Sequence, residues 1–229
     1  DQLAARQYKL LANKETLKKA APKLDDRFTS DVATKRLEAQ FELASSSLIG
    51  GLSNVATITC AATEINAQPY LGIGVDLSNH AYGHMGGNKR DAKGVQHYEK
   101  VRNWLFGLIA KMAKQLEETP EGNGTMLDNT LIVYTSDSGE VQHSHGNHWP
   151  FLLIGNLGGR IRSGRHIQLP SWGSSANSPN STNIAELAFE KRPDDGRTVN
   201  ALWTTLLHAA GSPIDGFNYD KAPSGLDKP

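Results

Sequence analysis

The chain holds a single cysteine, Cys60, so no disulfide can form within it. A lone cysteine in an apolar run usually serves as a small buried hydrophobe, and no base close in sequence marks Cys60 as a nucleophile. Charge of one sign is also missing: 24 lysines and arginines balance 24 aspartates and glutamates, for a net charge of zero. Nucleic-acid binders usually carry a basic surplus, so a strong nucleic-acid role is disfavoured. No apolar run approaches the ~18 residues that a membrane span needs. The first residues do not read as a secretion signal, and a start at Asp1 rather than Met fits a processed form or part of something longer. The pairs Gly72/Gly74 and Gly158/Gly159 are not followed by the Gly-Lys-Ser/Thr of a phosphate loop. The Gly-x-Ser-x-Gly turn of many serine hydrolases does not occur either. What is present is a chain of 229 residues, 38% hydrophobic and 21% charged. That is the composition of a globular protein, with a length that favours one large domain.

Periodicity then divides the chain. Residues 2–20 read as a helix with Leu3, Leu10 and Leu17 along one side, stopped by Pro22. A second helix is predicted from Ser30 to Ile49 on Leu37, Phe41, Ala44 and Leu48, with Ser30 or Asp31 at its start and Gly50-Gly51 at its end. Ser45-Ser46-Ser47 falls inside it and reads as a packing face rather than a source of nucleophiles. Residues Asn54 to Ala61 are rich in β-branched side chains and read as a buried strand. A glycine-, proline- and asparagine-rich loop follows from Asn66 to Gly94. A strong amphipathic helix runs from Val95 to Glu118, with Tyr98, Val101, Leu105, Leu108, Ile109, Met112 and Leu116 on its apolar face. Pro120 and Gly122-Asn123-Gly124 end it. Strands are predicted at Leu131–Thr135 and Phe151–Ile154, and a hairpin over Arg160–Leu169 turning at Ser163-Gly164. Residues 170–183 read as loop. Thr198 caps a last helix carrying Val199, Leu202, Trp203, Leu206, Leu207 and Ala210, ended by Gly211, and the tail from Pro213 to Pro229 reads as irregular. Helices alternating with strands predict α/β layers.

The chemistry gathers in two short segments. The apolar run Leu131-Ile132-Val133-Tyr134 leads to Asp137, then Gly139, then His143, His145 and His148. A strand that ends in a carboxylate beside a histidine-rich loop is a plausible metal site at a sheet edge, where ligands of open α/β sheets bind. Asp76 and His80 form a second candidate pair, Asp-x-x-x-His, within the long loop. Imidazole and carboxylate donors together suit zinc first, with calcium, magnesium or manganese as alternatives. The predicted ligands are therefore Asp76, His80, Asp137, His143 and His145, with His84 and His148 supporting them through hydrogen bonds. His97, His166 and His208 lie on predicted helices or in the hairpin and read as structural.

The segment Gly124 to Tyr134, then Asp137-Ser138-Gly139, a histidine, Trp149 to Gly155, Gly158-Gly159 and Ser163-Gly164-Arg165-His166 resembles the C-terminal half of the exported bacterial proteins named for an HxxSHH motif. That family is abundant in planctomycetes. Val199 to Leu207 resembles its closing helix, and the likeness spans roughly residues 30 to 225. The family is similar in turn to alkaline phosphatases and sulfatases. There an Asp-His-Gly or Asp-Asn-Gly after a strand, a later histidine and an Asp-x-x-x-His element bind metal. Asp137-Ser138-Gly139 matches the first in part, with Ser138 where a second ligand is expected. Against HxxSHH itself, Val75-Asp76-Leu77-Ser78-Asn79-His80 keeps the serine and the last histidine.

The resemblance implies an α/β fold with an alkaline-phosphatase-like layered sheet flanked by helices and lacking its N-terminal part. It divides the chain into an N-terminal helical segment, residues 1–24, and an α/β domain, residues 25–229. It implies a metal-dependent hydrolase of phosphate or sulfate esters, small or polysaccharide-linked, in an exported protein. The nucleophile would come from bound water, a missing N-terminal segment or a partner chain. The alternative is a non-catalytic structural or binding component of an exported assembly with a vestigial metal site.

Overall fold

The computed structural model describes residues 2–60, 69–78, 92–136, 150–167 and 199–217. The chain divides into two compact units, Asp1–Met126 and Leu127–Pro229. Helices occur in both, and each small sheet is an antiparallel pair of strands, so the fold is broadly α/β. Among the described residues, no helix is long and apolar enough to cross a membrane.

The first unit opens with α1 (Gln2–Ala12) and α2 (Lys14–Ala20), where one continuous helix was predicted. The break falls at Asn13, a weak helix former whose carbonyl caps the next turn by accepting from Leu17 N at 2.8 Å. Ala21, the residue before Pro22, has ψ 131, as the proline ring demands of its predecessor. Helix α3 (Ala33–Ile49) starts three residues later than predicted. Ser30 Oγ accepts from Val32 N at 3.1 Å, forming a turn ahead of the helix instead of capping it. At its far end Gly51 turns left-handed (φ 67), and Leu52 N reaches back to Ser47 O.

Helix α4 (Ala92–Glu117) lies against α3. Val101, Leu105, Ile109, Met112 and Leu116 of α4 are buried, as are Leu37, Ala39 and Phe41 of α3. Tyr98, predicted on the apolar face, is instead exposed, with the Arg102 guanidinium 4.8 Å above its ring. The long loop contributes more to the core than its composition suggests. Its described part, residues 69–78, holds a 3-10 turn at Leu71–Ile73 that inserts Tyr70 and Val75 into the core. Tyr70 meets Trp104 edge-on, ring centroids 6.0 Å apart. After α4, strands β1 (Pro120–Glu121) and β2 (Gly124–Thr125) pair across Gly122-Asn123, with Gly122 at φ 60.

Residues 54–60 correct the strand predicted at 54–61; residue 61 lies outside the described residues. Residues 54–60 form no strand, and Val55 is 76% exposed. Ser53 Oγ instead contacts both the N–H (3.1 Å) and the carbonyl (2.6 Å) of Val55. Such a local side-chain bond competes with strand pairing.

In the second unit, β3 (Leu131–Thr135) and β4 (Phe151–Gly155) pair antiparallel, in register from Leu131↔Gly155 to Thr135↔Phe151. Both were predicted, to within one residue. Helix α5 (Val199–Ala209) sets Trp203 edge-on to Phe151 at 5.8 Å. Arg160 Nη1 donates to the carbonyl of Ala209 at 3.1 Å, satisfying one of the helix's terminal acceptors. The hairpin predicted over 160–169 is corrected in its described part: residues 160–167 contain no strand. The turn survives, with Gly164 at φ 71, but its arms are mostly exposed, Ile167 among them. The predicted Thr198 cap, the loop at 170–183 and the tail beyond residue 217 lie outside the described residues.

Candidate functional site

In sequence, β3 is followed by Asp137, and β4 follows His148. Thr135 and Phe151 face each other across the ladder. The chain therefore leaves β3 and re-enters β4 at one edge of the hairpin. The Thr135 hydroxyl lies 3.2 Å from the Ser136 carbonyl and 3.1 Å from that of Pro150. It can donate to only one at a time, but it sits between the two flanks of the intervening segment. Asp137, His143, His145 and His148 belong to that segment and lie outside the described residues, as do His80 and His84.

Asp76 is the one predicted ligand among the described residues. It follows the fully buried Val75, and its own side chain is 70% exposed. Its neighbours come from the first turns of α4: Lys93 Nζ at 3.8 Å and His97 Nε2 at 3.9 Å. Both distances are too long for a hydrogen bond, and the Lys93 ammonium is near enough to attract the carboxylate by its charge. His97, read as structural, is thus the imidazole that faces Asp76. Its side chain is 15% exposed, and Nδ1 is buried with no hydrogen-bond partner among the described residues. The sequence signal for this grouping is the i,i+4 spacing of Lys93 and His97, which puts both on one helix face. Among the described residues, no group of three His, Cys, Asp or Glu is arranged to hold a metal ion.

The best-formed polar cluster of the first unit was not predicted. Arg27, in a 3-10 turn at Asp26–Thr29, donates through Nη1 and Nη2 to the two oxygens of Glu42 on α3, at 3.0 and 2.7 Å. Its Nε lies 3.0 Å from both oxygens of Asp25. Lys111 of α4 reaches Glu42 from the other side at 2.7 Å. The fork of the guanidinium matches a carboxylate on both edges, which lysine cannot do. The Arg27 hydrogen bonds hold the Glu42 and Asp25 carboxyls below their ordinary range and push the Arg27 guanidinium up. Both carboxylates therefore stay ionised and engaged, poor candidates for a general base near neutral pH. A groove of about 240 Å³ runs beside this cluster over Phe41, Leu108 and Met112. The geometry is that of a clamp joining the 3-10 turn to α3 and α4.

The other reactive groups are also committed. Ser45 and Ser47 donate to the carbonyls four residues back, and Ser46 Oγ lies between the Glu42 and Ala20 carbonyls. None is free to act as a nucleophile, in keeping with the packing role predicted for the run. Burial pushes the Cys60 thiol up while the charge of Arg102 pulls the other way, so burial disfavours the thiolate a nucleophile would need. His208 Nε2 lies 2.9 Å from the Ile214 carbonyl; a carbonyl only accepts, so Nε2 carries the proton and the ring ties down the chain after α5.

Comparisons with models of protein families, with curated protein sequences and with solved structures found no significant match to this chain.

Proposed function

We propose that the second unit holds a divalent metal, zinc by preference, through Asp137 together with His143 or His145, and that the chain is a metal-dependent hydrolase of phosphate or sulfate esters. The observation that supports this is the β3–β4 register. Thr135 opposite Phe151 gathers both ends of a segment bearing two carboxylates, Asp137 and Glu140, and three imidazoles to a single hairpin edge. Long connections inside compact domains are usually functional, and carboxylate with imidazole is a donor set that zinc favours. When bound, such an ion polarises an ester oxygen and lowers the pKa of attached water toward neutrality.

Asp76 belongs to the first unit, where the Lys93 ammonium stands 3.8 Å from it, and this reading rests on Asp137 with His143 or His145. Two coarser expectations travel with the proposal. One is a layered sheet of the alkaline-phosphatase type, of which β3–β4 forms one edge; the near-continuous apolar run of β3 suits a strand covered on both faces. The other is export, which rests on the family resemblance alone.

The test is metal analysis of the purified chain with turnover of aryl phosphate and aryl sulfate esters. One equivalent of bound zinc is expected, falling on Asp137→Asn and on His143→Ala combined with His145→Ala, with turnover falling at least a hundredfold. Zinc bound without turnover would favour a non-catalytic binding component; neither zinc nor turnover would end the proposal.

A further inference from the structure

The zero net charge of this chain conceals a segregation. Residues 1–24 carry Arg6, Lys9, Lys14, Lys18, Lys19 and Lys23 against only Asp1 and Glu15, so the remainder of the chain is acidic. The same segment exposes apolar side chains: Tyr8 is 75% and Leu11 69% exposed, three positions apart on one side of α1. Ala5 and Ala12, also exposed, extend that side. On α2 and just beyond it, Lys14, Lys18, Lys19 and Lys23 are all exposed. One of them, Lys18, is paired with Glu15 at 3.1 Å. An exposed tyrosine and leucine on α1, followed within a few residues by a run of exposed lysines, make an amphipathic basic segment, and such segments lie flat on anionic bilayers.

We infer that α1 and α2 form an interfacial docking element for an anionic lipid surface, with Tyr8 and Leu11 entering at headgroup depth and the lysines meeting lipid phosphates. Charge complementarity selects the partner: a surface of anionic headgroups rewards the cations, and its hydrocarbon rewards Tyr8 and Leu11. Nucleic acid would reward the cations and gain little from Leu11. This element is separate from the proposed metal segment and does not depend on it.

The experiment is sedimentation of the full chain with vesicles of phosphatidylcholine alone or with a third phosphatidylglycerol. Binding at least tenfold tighter to the anionic vesicles is expected, and it weakens as salt rises. Each lysine changed to glutamine among Lys14, Lys19 and Lys23 lowers the partition constant about fivefold. Tyr8→Ser combined with Leu11→Ser abolishes sedimentation, with charge and helical circular dichroism unchanged because both side chains are exposed. Three results would overturn the inference: no sedimentation with anionic vesicles; equal binding by the serine variant, matched by binding to duplex DNA, which would mark a plain polyanion contact; or a concentration-dependent dimer that the serine pair dissolves, which would mark a second copy as the occupant.

Discussion

Thr34 sits in the first turn of α3 with its side-chain hydroxyl buried and without a hydrogen-bond partner among the described residues. A β-carbon added at Gly72 would come within 2.2 Å of that oxygen, so the loop backbone is packed directly on it. Thr34→Val keeps the shape and removes the unsatisfied group. It should raise stability by about 1 kcal/mol in urea unfolding, and a loss would mean that the hydroxyl is satisfied after all. Gly155, at the end of β4, presents the opposite case. Its φ is 95, and a β-carbon there would stand 2.2 Å from the Thr130 carbonyl oxygen. Backbone cannot yield as a flexible side chain does, so Gly155→Ala should cost about 3 kcal/mol. A substitution there that left the unfolding curve unmoved would show that the β3–β4 register is not held at Gly155.

Between elements, the clamp of Arg27, Glu42, Asp25 and Lys111 joins three stretches of chain through charged hydrogen bonds. Its pH dependence has a definite sign. The carboxyls of Glu42 and Asp25 are depressed in the folded state. Their contribution is therefore present above the ordinary carboxylate value of ~4 and is lost as pH falls below it. Glu42→Gln should lower the thermal midpoint by several degrees at neutral pH and flatten its decline on the acid side. An acid limb identical to that of the parent would remove the clamp from the account of stability. This clamp was not legible in the sequence, because Arg27 and Glu42 are partners through the packing of a 3-10 turn on a helix, and no periodicity encodes that. The i,i+4 spacing of Lys93 and His97 could be read, but not that Asp76 would face them. What could be read was local. The apolar spacing of α3 and α4, the punctuation at Pro22, Gly51, Gly122 and Gly211, and the apolar runs of β3 and β4 each carry their signal within a few residues. Residues 54–60 show the limit: β-branched residues favour a strand only where a neighbour pairs with them. Of the metal ligands predicted from the sequence the structure describes Asp76 alone, and there the Asp-x-x-x-His pattern gave no sign that Lys93 and His97 would face it.

For the molecule as a whole, the two units carry different kinds of interior. In Asp1–Met126 the described core is broad, with Leu37, Tyr70, Val75, Val101 and Leu116 almost entirely enclosed. In Leu127–Pro229 the buried side chains of α5 are Ala201, Thr204, Leu206 and Ala209, and the strands of the hairpin are mostly half-buried. Two interiors of this kind should unfold as separate transitions in calorimetry of the intact chain, since compact units with their own cores need not melt together. Leu37→Ala deletes a fully enclosed side chain and should lower only the transition of the first unit, by about 2–5 kcal/mol. Zinc should act on the other. If the ion is held by Asp137 with His143 or His145, free zinc at a hundred times its dissociation constant should stabilise that unit by up to about 2.7 kcal/mol, less whatever the unfolded chain binds. Chelator reverses the rise, and Asp137→Asn removes it. A zinc-induced rise confined to the first unit would move the metal to the neighbourhood of Asp76 and His97. A single transition shifted equally by Leu37→Ala and by zinc would show one cooperative core, and the assignment of the ion to the β3–β4 edge would lose its thermodynamic support.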